Sequence, residues 1–306
     1  MRRIAGTILA AVMLLSGCAG SAEPRQVRLS NTATTPAVPA DSSPETMPIR
    51  IAAASIVSPQ ETIRSYGLFF SYLEQKVGRP IELVQRKTYE ETYELLRFGS
   101  LDMAMICTFI YVKGHDEIGL DLLAAPQVNG KAEYRSVIIA RADSKIEKFA
   151  DLAGKRFAFT DPLSSSGRLY PLTLLKARGV EAGAFFSSTT YTYSHDNSVR
   201  AVVQGVVDGA AVDSMVFDQL VSKNPDLGLS LRVIERSAWM PSPPMIVSKR
   251  VDPALREAFR QALLTMHENP EGKKILGDLG IEQFVLQQDE DYASVRELAR
   301  KAGMLP

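Results

Sequence analysis

Short apolar runs alternate with amphipathic stretches along this chain, and the alternation predicts an α/β protein. PIRIAAAS at 48–55 is the first strand candidate. SPQE follows at 58–61, where Ser58 can cap a helix, Pro59 suits its first position and Glu61 completes a capping box. The helix runs through YGLFFSYLEQKV and stops at Gly78. IELVQR (81–86) reads as a strand, YEETYELLRFG (89–99) as a helix ending at Gly99, and LDMAMIC (101–107) as a strand. This β-α-β-α-β succession is the pattern of an open α/β sheet.

AEYRSVIIA (132–140) predicts an extended segment, and a second alternation begins after it. KRFAFT leads into DPLSSSGRLYP (161–171), then a helical stretch that Gly179 stops. FFSSTTYTYS is strand-like, and HDNSVRAVVQGVVDG (195–209) is a helix with Val199, Val202, Val203 and Val206 on one face. AAVDSMVFDQL and LSLRVIERS continue the alternation. PMIVSK (244–249) reads as a strand returning to the first unit, and the remaining tail as helices packed outside. The expected architecture is a two-lobed α/β clamp with a hinge of two crossing strands. Lobe 1 is 49–140 and 244–306; lobe 2 is 141–243. Ligands of open α/β sheets bind at the carboxyl ends of strands. Two lobes facing each other turn that edge into a cleft that closes about a hinge.

Within this frame the SSSG stretch stands where a strand hands over to a helix. The first amides of a helix lack partners and carry the positive end of its dipole. Small hydroxyl residues there let an anion approach and add donors of their own. A single serine suffices for a plain cap, and three in a row exceed that need. Pro171 lacks an amide and belongs near the first helical turn, where it is expected to distort the start.

Composition adds three constraints. Lys+Arg and Asp+Glu are both 35, so the formal charge is zero, which argues against a nucleic-acid partner. The N-terminus has a basic MRR, an apolar IAGTILAAVMLL too short for a comfortable membrane span, and then LSGC at 15–18. That order resembles a bacterial lipobox, which implies a signal peptide over 1–17 and lipidation of Cys18. A lipid would anchor the protein to a membrane. Alanine at position 19 favours the outer membrane in a Gram-negative cell and a body facing the periplasm. Residues 18–48, rich in Ser, Thr, Ala and Pro, read as a flexible tether. With Cys18 lipidated, only Cys107 remains, so no intrachain disulfide is expected. Cys107 ends an apolar run and reads as a buried, inert thiol.

A secreted chain with two α/β lobes, DPLSSSG, Pro171, SHD at 194–196, GVVDG at 205–209 and EYRSVIIA resembles the phosphate/phosphite/phosphonate-binding group of periplasmic binding proteins of ABC importers. The likeness covers essentially 49–280. It implies that Ser164, Ser165, Ser166 and Gly167 hold phosphoryl-type oxygens. It implies that His195 donates from the next helix start and that Tyr89 and Tyr134 contact the ligand from the first lobe and the crossing. Relatives that take aminoalkyl phosphonates place acidic residues where this chain has Met215 and Pro243. An ammonium without a counter-charge in a dry cleft is costly. Phosphate, phosphite or a small phosphonate with an uncharged tail is therefore expected, rather than 2-aminoethylphosphonate, unless Asp213 substitutes.

The residues themselves leave some roles open. Tyr111 follows the LDMAMIC strand closely enough to reach the cleft. Ser55 stands where the first strand meets the first helix. Asp213, in an apolar run, needs partners; a protonated ligand oxygen and a hinge-strand hydrogen bond are both readings. Arg168 either supplies charge or lies on the surface. His115 and His267 read as surface residues. No paired metal-ligand spacing occurs, so neither metal nor cofactor is expected. No G-x-S-x-G elbow occurs, and three tandem serines suit cradling better than one nucleophile, so the protein is not expected to be an enzyme. The expected partners are an oxyanion and an ABC permease, with the chain a monomer. The alternative is a sensor that presents the closed clamp to a membrane receptor.

Overall fold

The computed structural model describes residues 47–53 and 56–306. The signal segment, Cys18, nearly all of the tether and Ser55 lie outside the described residues.

The first unit opens with β1 (Ile49–Ala53), α1 (Pro59–Val77), β2 (Ile81–Val84), α2 (Tyr89–Arg97) and β3 (Met103–Met105). Two elements that the sequence pattern did not announce follow: α3 (Thr108–Ile118) and β4 (Asp121–Gln127). β5 (Glu133–Tyr134) and β6 (Ser136–Arg141) carry the chain into the second unit. There it forms β7 (Arg156–Phe159), α4 (Tyr170–Lys176), α5 (Ala182–Phe185), β8 (Ser188–Tyr191) and α6 (His195–Val203). β9 (Gly209–Asp213), α7 (Ser214–Lys223), α8 (Pro225–Ser230) and β10 (Leu231–Arg236) complete it. β11 (Met240–Pro241) and β12 (Met245–Val247) lead back to α9 (Pro253–Leu264), α10 (Pro270–Asp278), β13 (Gln283–Val285) and α11 (Ala293–Ala302).

Two main sheets result. One has the order β13-β4-β12-β3-β1-β2, the other β10-β6-β9-β7-β8. β1 lies parallel between β2 and β3, and the returning β12 inserts antiparallel between β3 and β4. In the second sheet β7 is parallel to both β8 and β9, while β6 runs antiparallel to β9. The crossing segments pair with each other, Met240 against Tyr134 and Pro241 against Glu133. This is the expected two-lobed α/β clamp, with the crossings joined as a short ribbon. β12 returns to the first sheet as its apolar run predicts.

Local chemistry sets the elements. β1 and β3 are buried almost throughout, as strands covered on both faces must be. Phe69, Phe70 and Leu73 bury the core face of α1, each contributing about 1.5–3 kcal/mol. α1 ends at Gly78, whose φ of 66° is the left-handed conformation glycine adopts freely. Ser58 stands at the N-cap of α1, but its side chain makes no capping hydrogen bond. The capping box belongs instead to α2, where Thr88 and Glu91 satisfy each other's amides. The tail is helical, with β13 added as an extra strand on β4.

Candidate functional site

The SSSG stretch forms one π-helical turn, Ser165–Leu169, ahead of α4. Its irregularity has a local cause. The Tyr170 amide donates to Ser165 O, five residues back, and Pro171 has no amide to give to Ser166 O. That freed carbonyl accepts from the Ser136 hydroxyl at 2.7 Å, which ties the turn to β6. Ser164 caps the turn, its Oγ accepting from Gly167 N at 2.9 Å. The three serines thus divide their work: Ser164 does the capping, while Ser165 and Ser166 begin the turn, where amides have no intrahelical acceptor.

Lobe 1 meets this turn with hydroxyls. Ser165 Oγ lies 2.7 Å from Thr108 Oγ1, which lies 3.0 Å from the Tyr134 hydroxyl. Cys107 Sγ donates to Leu163 O at 3.1 Å, and burial pushes its thiol up to about 12, as befits an inert buried group. Tyr89, fully buried at the start of α2, has an amide that donates to Asp161 Oδ2 at 3.1 Å. Its hydroxyl is buried with no hydrogen-bond partner. Burial first, then the neighbouring Cys107, Asp161, Asp213 and Tyr134, hold that phenol well above its ordinary range.

His195 begins α6 and is buried. Its Nδ1 accepts from the Asp213 amide at 3.1 Å and lies 3.1 Å from Thr160 Oγ1. An accepting Nδ1 leaves the ring proton on Nε2, so the imidazole is a neutral donor. Burial lowers its pKa to about 3, which keeps it neutral throughout the physiological range. Gly167 packs against the same Thr160. A Cβ there would lie 2.4 Å from Thr160 Cβ and 2.9 Å from Ser164 Oγ, so only glycine fits without a shift.

Asp213 closes the ring of groups. One carboxylate oxygen accepts from Met215 N and Val216 N at 2.7 and 3.3 Å, capping α7. Burial raises its pKa to about 7 against the pull of those amides. Capping is thus its structural task, a role the sequence reading did not assign.

The two lobes are in contact in this structure. The His195 amide donates to Ile56 O at 3.0 Å and the Ser58 amide to Asp196 Oδ1 at 2.8 Å. Together with the bonds of Tyr89, Cys107 and Thr108 to lobe 2, these define a closed clamp.

Ser165, Ser166, Gly167, His195, Tyr89, Tyr134 and Asp213 come together, with Ser164 as their cap. Tyr111 does not join them. It lies within α3, and its hydroxyl donates to Asp289 at 2.8 Å while its ring packs on Tyr292. The helix turns it toward the α11 side, which the unrecognised α3 concealed. Arg168 also turns away, its guanidinium donating to Pro162 O and Met304 Sδ. His115 lies at the surface, its side chain 37% exposed, while His267 is half-buried. Thr108, Thr160, Asp161 and Ser136 were missed. Thr108 had a signal: it opens a helix directly after a strand, as the serines do. Among the described residues no cluster of three or more His, Cys, Asp or Glu could hold a metal.

Residues 51–292 match the family described as the periplasmic substrate-binding protein of phosphonate ABC transporters. The chain is 32% identical over 232 residues to the phosphate-import protein PhnD of Mycolicibacterium smegmatis, covering 72% of this chain and 68% of that one. It is 25% identical over 266 residues to the phosphonates-binding periplasmic protein of Escherichia coli, covering 85% and 78%. The structure of PhnD1 from Prochlorococcus marinus in complex with methylphosphonate shares the fold, with a TM-score of 0.76 at 19% identity over 86% of this chain and 100% of that one. The chain belongs to the family of periplasmic substrate-binding proteins of phosphonate ABC transporters.

Proposed function

We propose that the protein captures a phosphorus oxyanion (phosphate, phosphite or a small phosphonate) between its lobes and delivers it, unaltered, to an ABC permease. The observation that carries this is the Tyr89 hydroxyl, buried without a hydrogen-bond partner. An unpartnered buried hydroxyl costs about 1–3 kcal/mol, and a ligand oxygen would remove that cost. Ser165, Ser166, Thr108, Tyr134 and His195 Nε2 supply further neutral donors, and helix starts supply dipoles. Asp213 is the acceptor for a protonated ligand oxygen. His195 receives a backbone amide on Nδ1 rather than a carboxylate, which suits holding rather than proton relay. The LSGC stretch supports an anchor of lipid on Cys18, with the folded body reaching into the periplasm on its tether.

The test is a calorimetric panel on the soluble body, residues 49–306, freed of carried-over ligand by unfolding and refolding. Phosphate, phosphite, methylphosphonate and sulfate are titrated in turn. Binding of at least one phosphorus oxyanion, with sulfate at least a hundredfold weaker, is expected. Absence of binding by all three phosphorus ligands, on protein that melts cooperatively, would sink the proposal.

A further inference from the structure

A cavity of about 320 Å³ opens between the lobes beside the oxyanion site. It adjoins that site at two residues already described. Asp213 lines it, and so does Ile56, whose carbonyl takes the His195 amide. Beyond Asp213, Val57, Met105, Met215, Pro243 and Ile281 give it an apolar wall, interrupted by the polar Asn129, Ser214, Gln219 and Ser222. Charges occur toward its exposed rim, where Asp218, Glu133 and Lys131 stand. Burial raises the Asp218 carboxyl above its ordinary range, against the pull of Arg135 and Arg236. Trp239 stands on the rim with 44% of its surface exposed and the Arg135 guanidinium 4.4 Å from its ring centre.

We propose that this cavity receives the organic substituent of the bound oxyanion, and that the preferred ligand is a phosphonate with an uncharged, apolar substituent larger than methyl. The inference rests on the phosphorus-oxyanion reading of the neighbouring site. The volume far exceeds what phosphate, phosphite or a methyl group would fill. A void lined by apolar side chains gains by receiving carbon, and each buried methylene is worth about a fourfold gain in affinity. An ammonium in the same place would leave water for a wall of Val57, Met105, Met215, Pro243 and Ile281. Chain length should therefore strengthen binding until the substituent reaches the rim, and a terminal charge should weaken it.

A homologous series tests this on the same soluble body: phosphate, then methyl-, ethyl-, n-propyl- and n-butylphosphonate, with 2-aminoethylphosphonate as the charged isostere of n-propyl. Calorimetry reads the affinities and Trp239, the single tryptophan, reports filling of the cavity. The expected result is a gain of about fourfold per methylene from methyl to propyl. It includes a blue-shifted Trp239 emission with propyl and butyl only, and 2-aminoethylphosphonate at least tenfold weaker than n-propyl. A flat or falling series in a protein that binds phosphate or methylphosphonate overturns this inference and leaves the oxyanion reading standing. So does 2-aminoethylphosphonate binding more tightly than n-propyl. Binding of no phosphorus ligand overturns both.

Discussion

Replacing Tyr89 by phenylalanine separates a binding hydroxyl from a structural one. In the closed clamp the Tyr89 hydroxyl is buried, bonded to nothing, and surrounded by Cys107, Asp161, Asp213 and Tyr134. Leaving such a group dry costs about 1–3 kcal/mol, so removing its oxygen makes unliganded closure easier by up to that amount. In an open clamp the hydroxyl meets water and the gain vanishes. The unliganded variant should therefore melt no lower than the parent and up to several degrees higher, since about 1 kcal/mol moves the melting point by about 2–4 °C at this size. With ligand the sign reverses. A hydrogen bond to a charged oxygen is worth about 1.5–3 kcal/mol, so affinity should fall about 10- to 150-fold. The assay is a melting curve without ligand and a titration with whichever phosphorus oxyanion binds the parent. The ring is kept, so the core around α2 is not cut. An unchanged affinity together with a clear drop in the unliganded melting point would refute the reasoning and make the hydroxyl structural.

Three further substitutions probe the same ring. Asp213→Asn keeps an oxygen for the Met215 and Val216 amides but removes the titration. The folded carboxyl sits at about 7, above its ordinary 3.8, so its stabilising contribution is complete below pH 4 and is lost as pH rises through 7. The unliganded variant should gain relative to the parent between pH 4 and 8, by at most about 4 kcal/mol, and parallel pH–melting profiles would count against the buried carboxyl. The serine cluster should split: Ser164→Ala removes the cap on Gly167 and lowers the unliganded stability by about 1 kcal/mol. Ser165→Ala leaves that stability within about 1 kcal/mol and weakens oxyanion binding at least tenfold, so equal effects of the two on melting would argue for capping alone.

Much of this was legible before the fold. The strand-to-helix handover at SSSG and the SHD helix start place Ser165, Ser166 and His195 together, because period changes locate strand ends and strand ends locate the cleft. β12 was legible as a return strand from six residues. α3 was not, because TFIYVKGHDEI follows an apolar run without a turn signal and is apolar along most of its first two turns. Missing it cost Thr108 and misplaced Tyr111, whose direction is fixed by helical phase rather than by distance from a strand. Asp161 was in plain view within DPLSSSG. Its bond to the Tyr89 amide joins residues 72 apart in sequence, a pairing no local pattern encodes.

The cross-lobe contacts also bear on how a site built of neutral donors would hold the proposed anion. His195 is uncharged, Arg168 points elsewhere, and the hydroxyls and helix starts carry only partial charges. Such donors are weak in water and strong in a dry, fixed setting. Closure is therefore part of the binding chemistry. Two of the bonds that hold the lobes together involve no ligand-facing donor: Asp161 and Asp196 of lobe 2 accept from the amides of Tyr89 and Ser58, at the starts of α2 and α1. A carboxylate at a helix N-terminus is favoured by the dipole. These contacts give the closed state cohesion of its own, so the ligand has to supply only the remainder.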